Sequence, residues 1–131
     1  MKRFLCMILT FLMLFPLCGC SATNVKSNQS VTLTFVFGEH NISAVLTDEE
    51  AAEVIRILDG KKYDSLLSGV PACGFTKDVS LKVGNRTYAI ACDTCKMVQD
   101  MGNLHFFSVT QEDIDYIHAL FEKYGGFFPC I

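Results

Sequence analysis

Four signatures are missing from this 131-residue sequence, and each absence removes a class of function. There is no cluster of lysines and arginines, so the chain has nothing with which to neutralise a run of phosphates, and nucleic acid is excluded as an expected partner. There is no apolar run long enough for a spanning helix. The longest, Phe4 to Leu17, has fourteen residues, against the roughly 20 that a bilayer requires. There is no glycine-rich phosphate loop, since Gly125-Gly126 stands where a helix should stop. Finally, Cys92-Asp93-Thr94-Cys95 has no second C-x-x-C to complete a four-thiolate zinc knuckle. No metal and no cofactor is expected.

What is present begins with an export signal. Lys2 and Arg3 form a basic start, Phe4 to Leu17 an apolar core, and small residues and cysteine follow. The stretch Leu17-Cys18-Gly19-Cys20 resembles the signal of bacterial lipoproteins. That resemblance implies cleavage before Cys20 and a diacylglyceryl group on its thiol. Cys20 is then the lipidation site, and the chain is expected at the cell membrane, anchored on the extracytoplasmic face. Two acyl chains suffice for stable attachment where one does not. Removing residues 1–19 leaves 112 of the 131 residues, enough for one core and too few for two. It also removes Lys2 and Arg3, so nine basic residues face fourteen acidic ones. An acidic domain of this kind gains nothing from an anionic bilayer, and the lipid on Cys20 must supply the membrane contact.

The mature chain divides into a lipidated cysteine with a flexible tether, 20–30, and a single domain, 31–131. Ser21 to Ser30 is almost wholly small and polar and predicts a segment too poor in apolar surface to order itself. Val31, Leu33, Phe35 and Phe37 then alternate with Thr32, Thr34 and Val36, and after turn residues Gly38 to Asn41 the alternation resumes at Ile42, Ala44 and Leu46, as in a hairpin. Thr47 stands three residues before Glu50, the spacing of a capping box, and predicts a helix from Asp48 to Asp59. Lys61 to Pro71 has no period and reads as a surface connection. Taking Gly84-Asn85 as a two-residue turn pairs Leu81 with Tyr88, Val79 with Ile90 and Lys82 with Thr87, and turns Cys92 inward. A third hairpin around Gly102-Asn103 pairs Val98 with Phe107 and Asp100 with His105, with Met101, Leu104 and Phe106 making its second face apolar too. Thr110 caps a second helix with the stripe Ile114, Ile117, Phe121 and Tyr124, and the apolar tail from Gly126 to Ile131 should fold back on the core. The fold class is α+β, an antiparallel sheet built from hairpins with two helices packed on one face. Hairpin, capped threonine and helix occur twice, at Thr47 and Thr110, which suggests an internal duplication.

Four cysteines remain outside the signal and the anchor: Cys73, Cys92, Cys95 and Cys130. An even number in a small exported domain favours disulfides, and the sequence leaves all three connectivities open. The functional alternative is a thiol-disulfide oxidoreductase using Cys92 and Cys95, which calls for a strand before the motif and a helix after it. His40, His105 and His118 show no catalytic spacing, and Glu49, Glu50 and Glu53 suit a helix start. No catalytic residue is expected. Lys123-Tyr124-Gly125-Gly126-Phe127-Phe128-Pro129-Cys130, with Pro71-Ala72-Cys73-Gly74-Phe75 and the C-x-x-C, resembles a group of small uncharacterised bacterial lipoproteins. That group carries no known activity. The expected function is therefore a non-catalytic binding or structural module whose ligand, a protein or a small molecule, the sequence leaves unidentified.

Overall fold

The computed structural model describes residues 21–65, 69 and 71–128. The expected signal at 1–19, the lipidation site Cys20 and the disulfide candidate Cys130 lie outside the described residues. The fold is α+β, a six-stranded antiparallel sheet with two helices. Strand β1 (Val31–Phe37) buries Val31, Leu33 and Phe35 completely and leaves Thr32, Thr34 and Val36 on the other face. Gly38, at φ +58°, turns the chain into β2 (His40–Val45), with Leu33 opposite Ala44 and Phe35 opposite Ile42. A residue with a side chain resists that backbone conformation, which is why glycine stands there. The turn is tighter than expected, because strand pairing already resumes at His40.

Helix α1 (Asp48–Leu58) starts with the capping box that the sequence predicts. The Glu50 N–H donates to Thr47 Oγ1 at 3.3 Å and the Thr47 N–H to Glu50 Oε2 at 3.0 Å. Strands β3 (Val79–Val83) and β4 (Arg86–Ile90) pair in the expected register, Leu81 with Tyr88 and Lys82 with Thr87. So do β5 (Met97–Asp100) and β6 (His105–Ser108), with Val98 opposite Phe107 and Asp100 opposite His105. Helix α2 (Gln111–Gly125) is capped by Thr110, which accepts from the Asp113 N–H at 3.1 Å, and ends at Gly126 with φ +86°. The strand order β2-β1-β3-β4-β5-β6 sends the two hairpins that precede helices to opposite edges. The β3-β4 hairpin fills the centre.

One face of the sheet carries the core. Leu33, Phe35, Leu81, Tyr88, Ile90, Val98 and Phe107 meet Val54, Ile57 and Leu58 of α1 and Ile114, Ile117 and Phe121 of α2 in one cluster. The helices are tied to each other as well as to the sheet. Arg56 bridges to Asp113 at 2.7 Å, and Lys123 to Glu50 at 2.6 Å. The tail folds back through residue 128, with Phe127 edge-on to Phe35 and Phe128 buried against Phe121.

Two expectations are corrected. The stretch 21–30 does not hang free along its whole length. Ala22 bridges to Lys62, Thr23 is buried with its hydroxyl donating to the Leu58 carbonyl at 2.7 Å and accepting from the Lys61 N–H at 2.7 Å, and Val25 enters the core. The average polarity of the segment hid one apolar and one capping side chain. The Thr23 hydroxyl satisfies backbone groups left open at the end of α1, where helix carbonyls lack intrahelical donors. The second correction concerns the outer face of the third hairpin. Phe106 is buried, but Leu104 is 59% exposed at φ +61°, in the turn and outside any apolar layer. The cover over Phe106 comes from the stretch before β3, whose Phe75 ring lies 5.2 Å from that of Phe106. Ala89 and Ala91, both fully buried, stand on the same outer side.

Candidate functional site

The cysteines are arranged by that outer strap. Cys73 and Cys95 form a disulfide across 22 residues, with their Cα atoms 6.3 Å apart. The Gly74 carbonyl accepts from the Cys92 N–H at 2.8 Å, so strap and strand end are joined by a hydrogen bond beside the covalent link. The C-x-x-C pair is thereby split. Cys95 is bonded to Cys73 and not to Cys92, while Cys92 continues the alternation of β4 into the core, 4% exposed. The helix that a thioredoxin-type motif needs does not follow, because β5 begins at Met97. Cys73, Asp93 and Cys95 also bring their ligand atoms within 4.8 Å of one another. Two of these are sulfurs already bonded to each other, and a metal takes thiolates, so this cluster is a cross-link before it is a metal centre.

Beside it a cavity of about 350 Å³ is lined by Asp93, Thr94, Cys95, Lys96, Gln111, Ile114, Asp115 and His118. The His118 ring stacks on Phe128 at 3.8 Å, and its Nε2 is buried without a hydrogen-bond partner. Burial lowers its proton affinity, against the pull of Asp115 and Glu122. His118 is thus held towards the neutral form as part of the packing of the tail.

A buried polar arrangement lies at the other end, on the core side of the sheet. Asp100 is 1% exposed, and its carboxylate accepts from the Tyr63 hydroxyl at 2.7 Å, the Gly102 N–H at 2.9 Å and Arg86 Nη1 at 3.3 Å. A buried carboxylate is tolerable only with such donors. His105 faces Asp100 across the hairpin as expected, yet its ring packs edge-on to Tyr63 at 5.2 Å, and Tyr63 takes the carboxylate instead. Burial and then Asp100 push the Tyr63 hydroxyl's pKa up.

Tyr88 completes this array. It is fully buried, with the Arg86 guanidinium beside its oxygen and no acceptor placed for its proton. Burial raises its pKa, and the neighbouring Arg86 works against that rise. Arginine has no acceptor, so even the closest approach of Arg86 leaves the hydroxyl proton unplaced. Next to it lies a cavity of about 150 Å³, lined by Asn24, Val25, Lys26, Gln29, Val83, Asn85, Arg86 and Tyr88. Spacing along the chain does not announce this grouping. Arg86 and Tyr88 are two apart on one strand, so they share a face, and the β4-β5 pairing that sets Tyr88 opposite Asp100 joins separate hairpins.

No protein-family model, curated protein or solved structure matches the chain. The likeness to bacterial lipoproteins rests on the sequence motifs alone. Among the described residues no helix is long and apolar enough to cross a membrane.

Proposed function

We propose that the chain is a bacterial lipoprotein, held by lipid on Cys20 at the extracytoplasmic face of the cell membrane, whose domain is a non-catalytic binding module. The observation that carries this reading is the Cys73–Cys95 disulfide. Such bonds persist in oxidising compartments, which agrees with the export signal. This bond also engages one of the two thiols that a redox enzyme would use. The rival, a thiol-disulfide oxidoreductase working through Cys92 and Cys95, would have to break the Cys73 bond and turn Cys92 out of the core. Binding instead asks only for a recessed polar surface on a rigid frame. The sheet and its strap supply the frame, and the cavities beside Tyr88 and Cys95 supply recesses. Partners are the membrane, through Cys20, and a protein or small-molecule ligand.

Replacing Cys20 by Ser tests the anchor. The variant should remain unprocessed or be released without lipid, whereas wild type fractionates with membranes. Unchanged processing and attachment would refute the anchor, and turnover of a disulfide substrate by the wild-type chain would refute the non-catalytic reading.

A further inference from the structure

The domain is joined to its anchor without slack. Residues 21–30, if free, would let it stand up to about 30 Å off a bilayer. Pairing begins at once instead. The Ser21 carbonyl accepts from the Tyr63 N–H at 3.4 Å, Ala22 bridges to Lys62, and the Thr23 N–H donates to the Lys61 carbonyl at 2.9 Å. Cys20 is one peptide bond before Ser21, about 3.8 Å between Cα atoms, so a lipid on its thiol leaves the domain beside Tyr63. The Tyr63 side chain in turn lies against the β5-β6 turn, with its hydroxyl on Asp100 at 2.7 Å and its ring edge-on to His105 at 5.2 Å.

That turn carries Leu104, 59% exposed at φ +61° and the one non-glycine residue with a positive φ among the described residues. An exposed leucine is ordinary by itself. Leucine in the left-handed region is not, because its Cβ crowds the backbone where Gly or Asn would not. Strain and apolar exposure thus coincide at one position, and that position adjoins the anchor. Its surroundings select an apolar occupant. Lys62 and Asp64, both exposed on either side of Tyr63, carry opposite charges, and Asp100 is matched by Arg86. The strand directions extend this surface, since the β3-β4 and β5-β6 turns lie at one end of the sheet and the β1-β2 turn at Gly38 lies at the other. We infer that the domain lies directly on the bilayer with the β5-β6 turn against it, and that Leu104 enters the lipid beside the acyl chains of Cys20. This inference rests on the lipidation of Cys20 and names the surface that meets the membrane.

The sequence contains no tryptophan, so one introduced indole reports one position. The mature lipidated protein is placed in phosphatidylcholine vesicles, with and without bromine on the acyl chains, as Leu104→Trp and as Glu39→Trp at the far end of the sheet. Emission from position 104 should be shifted to the blue and lose most of its intensity to bromine, and replacing part of the lipid by phosphatidylglycerol should not alter this. Emission from position 39 should be the same in both lipids. Leu104→Asn, which suits the positive φ and so keeps the fold, should pass between vesicles about tenfold faster than wild type through the lost burial of one leucine. Leu104→Met, still apolar, should pass at close to the wild-type rate. Equal quenching at positions 104 and 39, or equal transfer rates for Leu104→Asn and wild type, would overturn the inference. So would a blue shift without quenching, which would mean that protein and not lipid covers Leu104. Intact mass of the same preparation reads the anchor separately. A lipidated, vesicle-bound chain with position 104 unquenched overturns this inference and leaves the anchor standing, whereas a chain without lipid overturns both.

Discussion

Glu50 joins two helices at one point, and its removal should show a distinctive dependence on pH. One carboxylate oxygen accepts from the Thr47 N–H at 3.0 Å and from the Tyr124 hydroxyl at 2.7 Å, and the other from Lys123 Nζ at 2.6 Å. The Lys123 ammonium, against the cost of burial and helped by Tyr124 and Thr47, draws the Glu50 pKa from 4.5 down to about 2. The folded pKa lies below the unfolded one, so the stabilisation is complete above about 4.5 and is lost as pH falls through about 2. Taken at face value the shift is worth about 3 kcal/mol. Lys123 is 59% exposed and screened by solvent, which reduces the useful part to about 1–2 kcal/mol. Glu50→Gln keeps an oxygen for the Thr47 N–H and removes the charge. In urea unfolding it should be less stable than wild type by about 1–2 kcal/mol at pH 7, with the gap closing between pH 4.5 and 2. The other carboxylates titrate in both proteins and largely cancel from the difference. A gap that stays constant from pH 7 to pH 2 would show that Glu50 acts through shape or capping alone.

Two further substitutions test the packing. Gly125→Ala should destabilise by about 1–3 kcal/mol through overpacking, because the new Cβ would sit 2.7 Å from Cδ1 of the fully buried Phe35; equal or greater stability in urea unfolding would contradict this. Thr23→Val keeps the shape but strips the Leu58 carbonyl and the Lys61 N–H of their partner, at a cost of about 1–3 kcal/mol. Amide exchange at Lys61 should quicken, and an unchanged rate would mean that the N-terminal stretch is not docked.

Local signals in the sequence carried most of the fold. Period-2 alternation with turns at Gly38, Gly84 and Gly102 located the hairpins, and Thr47 and Thr110 located the helix starts, because these patterns involve residues close in the chain. The order of hairpins in the sheet, the pairing of β1 with β3 and of β4 with β5, and the strap carrying Cys73 depend on contacts between distant residues. Periodicity does not encode those. The same limit explains the site. Asp100 was expected to face His105 and does, but Tyr63 comes from a connection without period and reaches the carboxylate first. Glu50 was expected as a cap and is one; its second role, toward Lys123 and Tyr124, needed α2 to lie alongside α1. For the cysteines, spacing drew attention to Cys92 and Cys95, while alternation along β4 already turned Cys92 inward. The second signal described the geometry better. Composition averages over the ten residues 21–30 and predicts a free tether, whereas docking needs only Thr23 and Val25.

The most direct test of the account is the mass of the mature protein extracted from membranes, followed by a peptide map without reduction. A chain starting at Cys20 with diacylglyceryl on its thiol is expected, with a linked peptide pair containing Cys73 and Cys95. A chain that retains residues 1–19, or a bond joining Cys92 to Cys95, would contradict it.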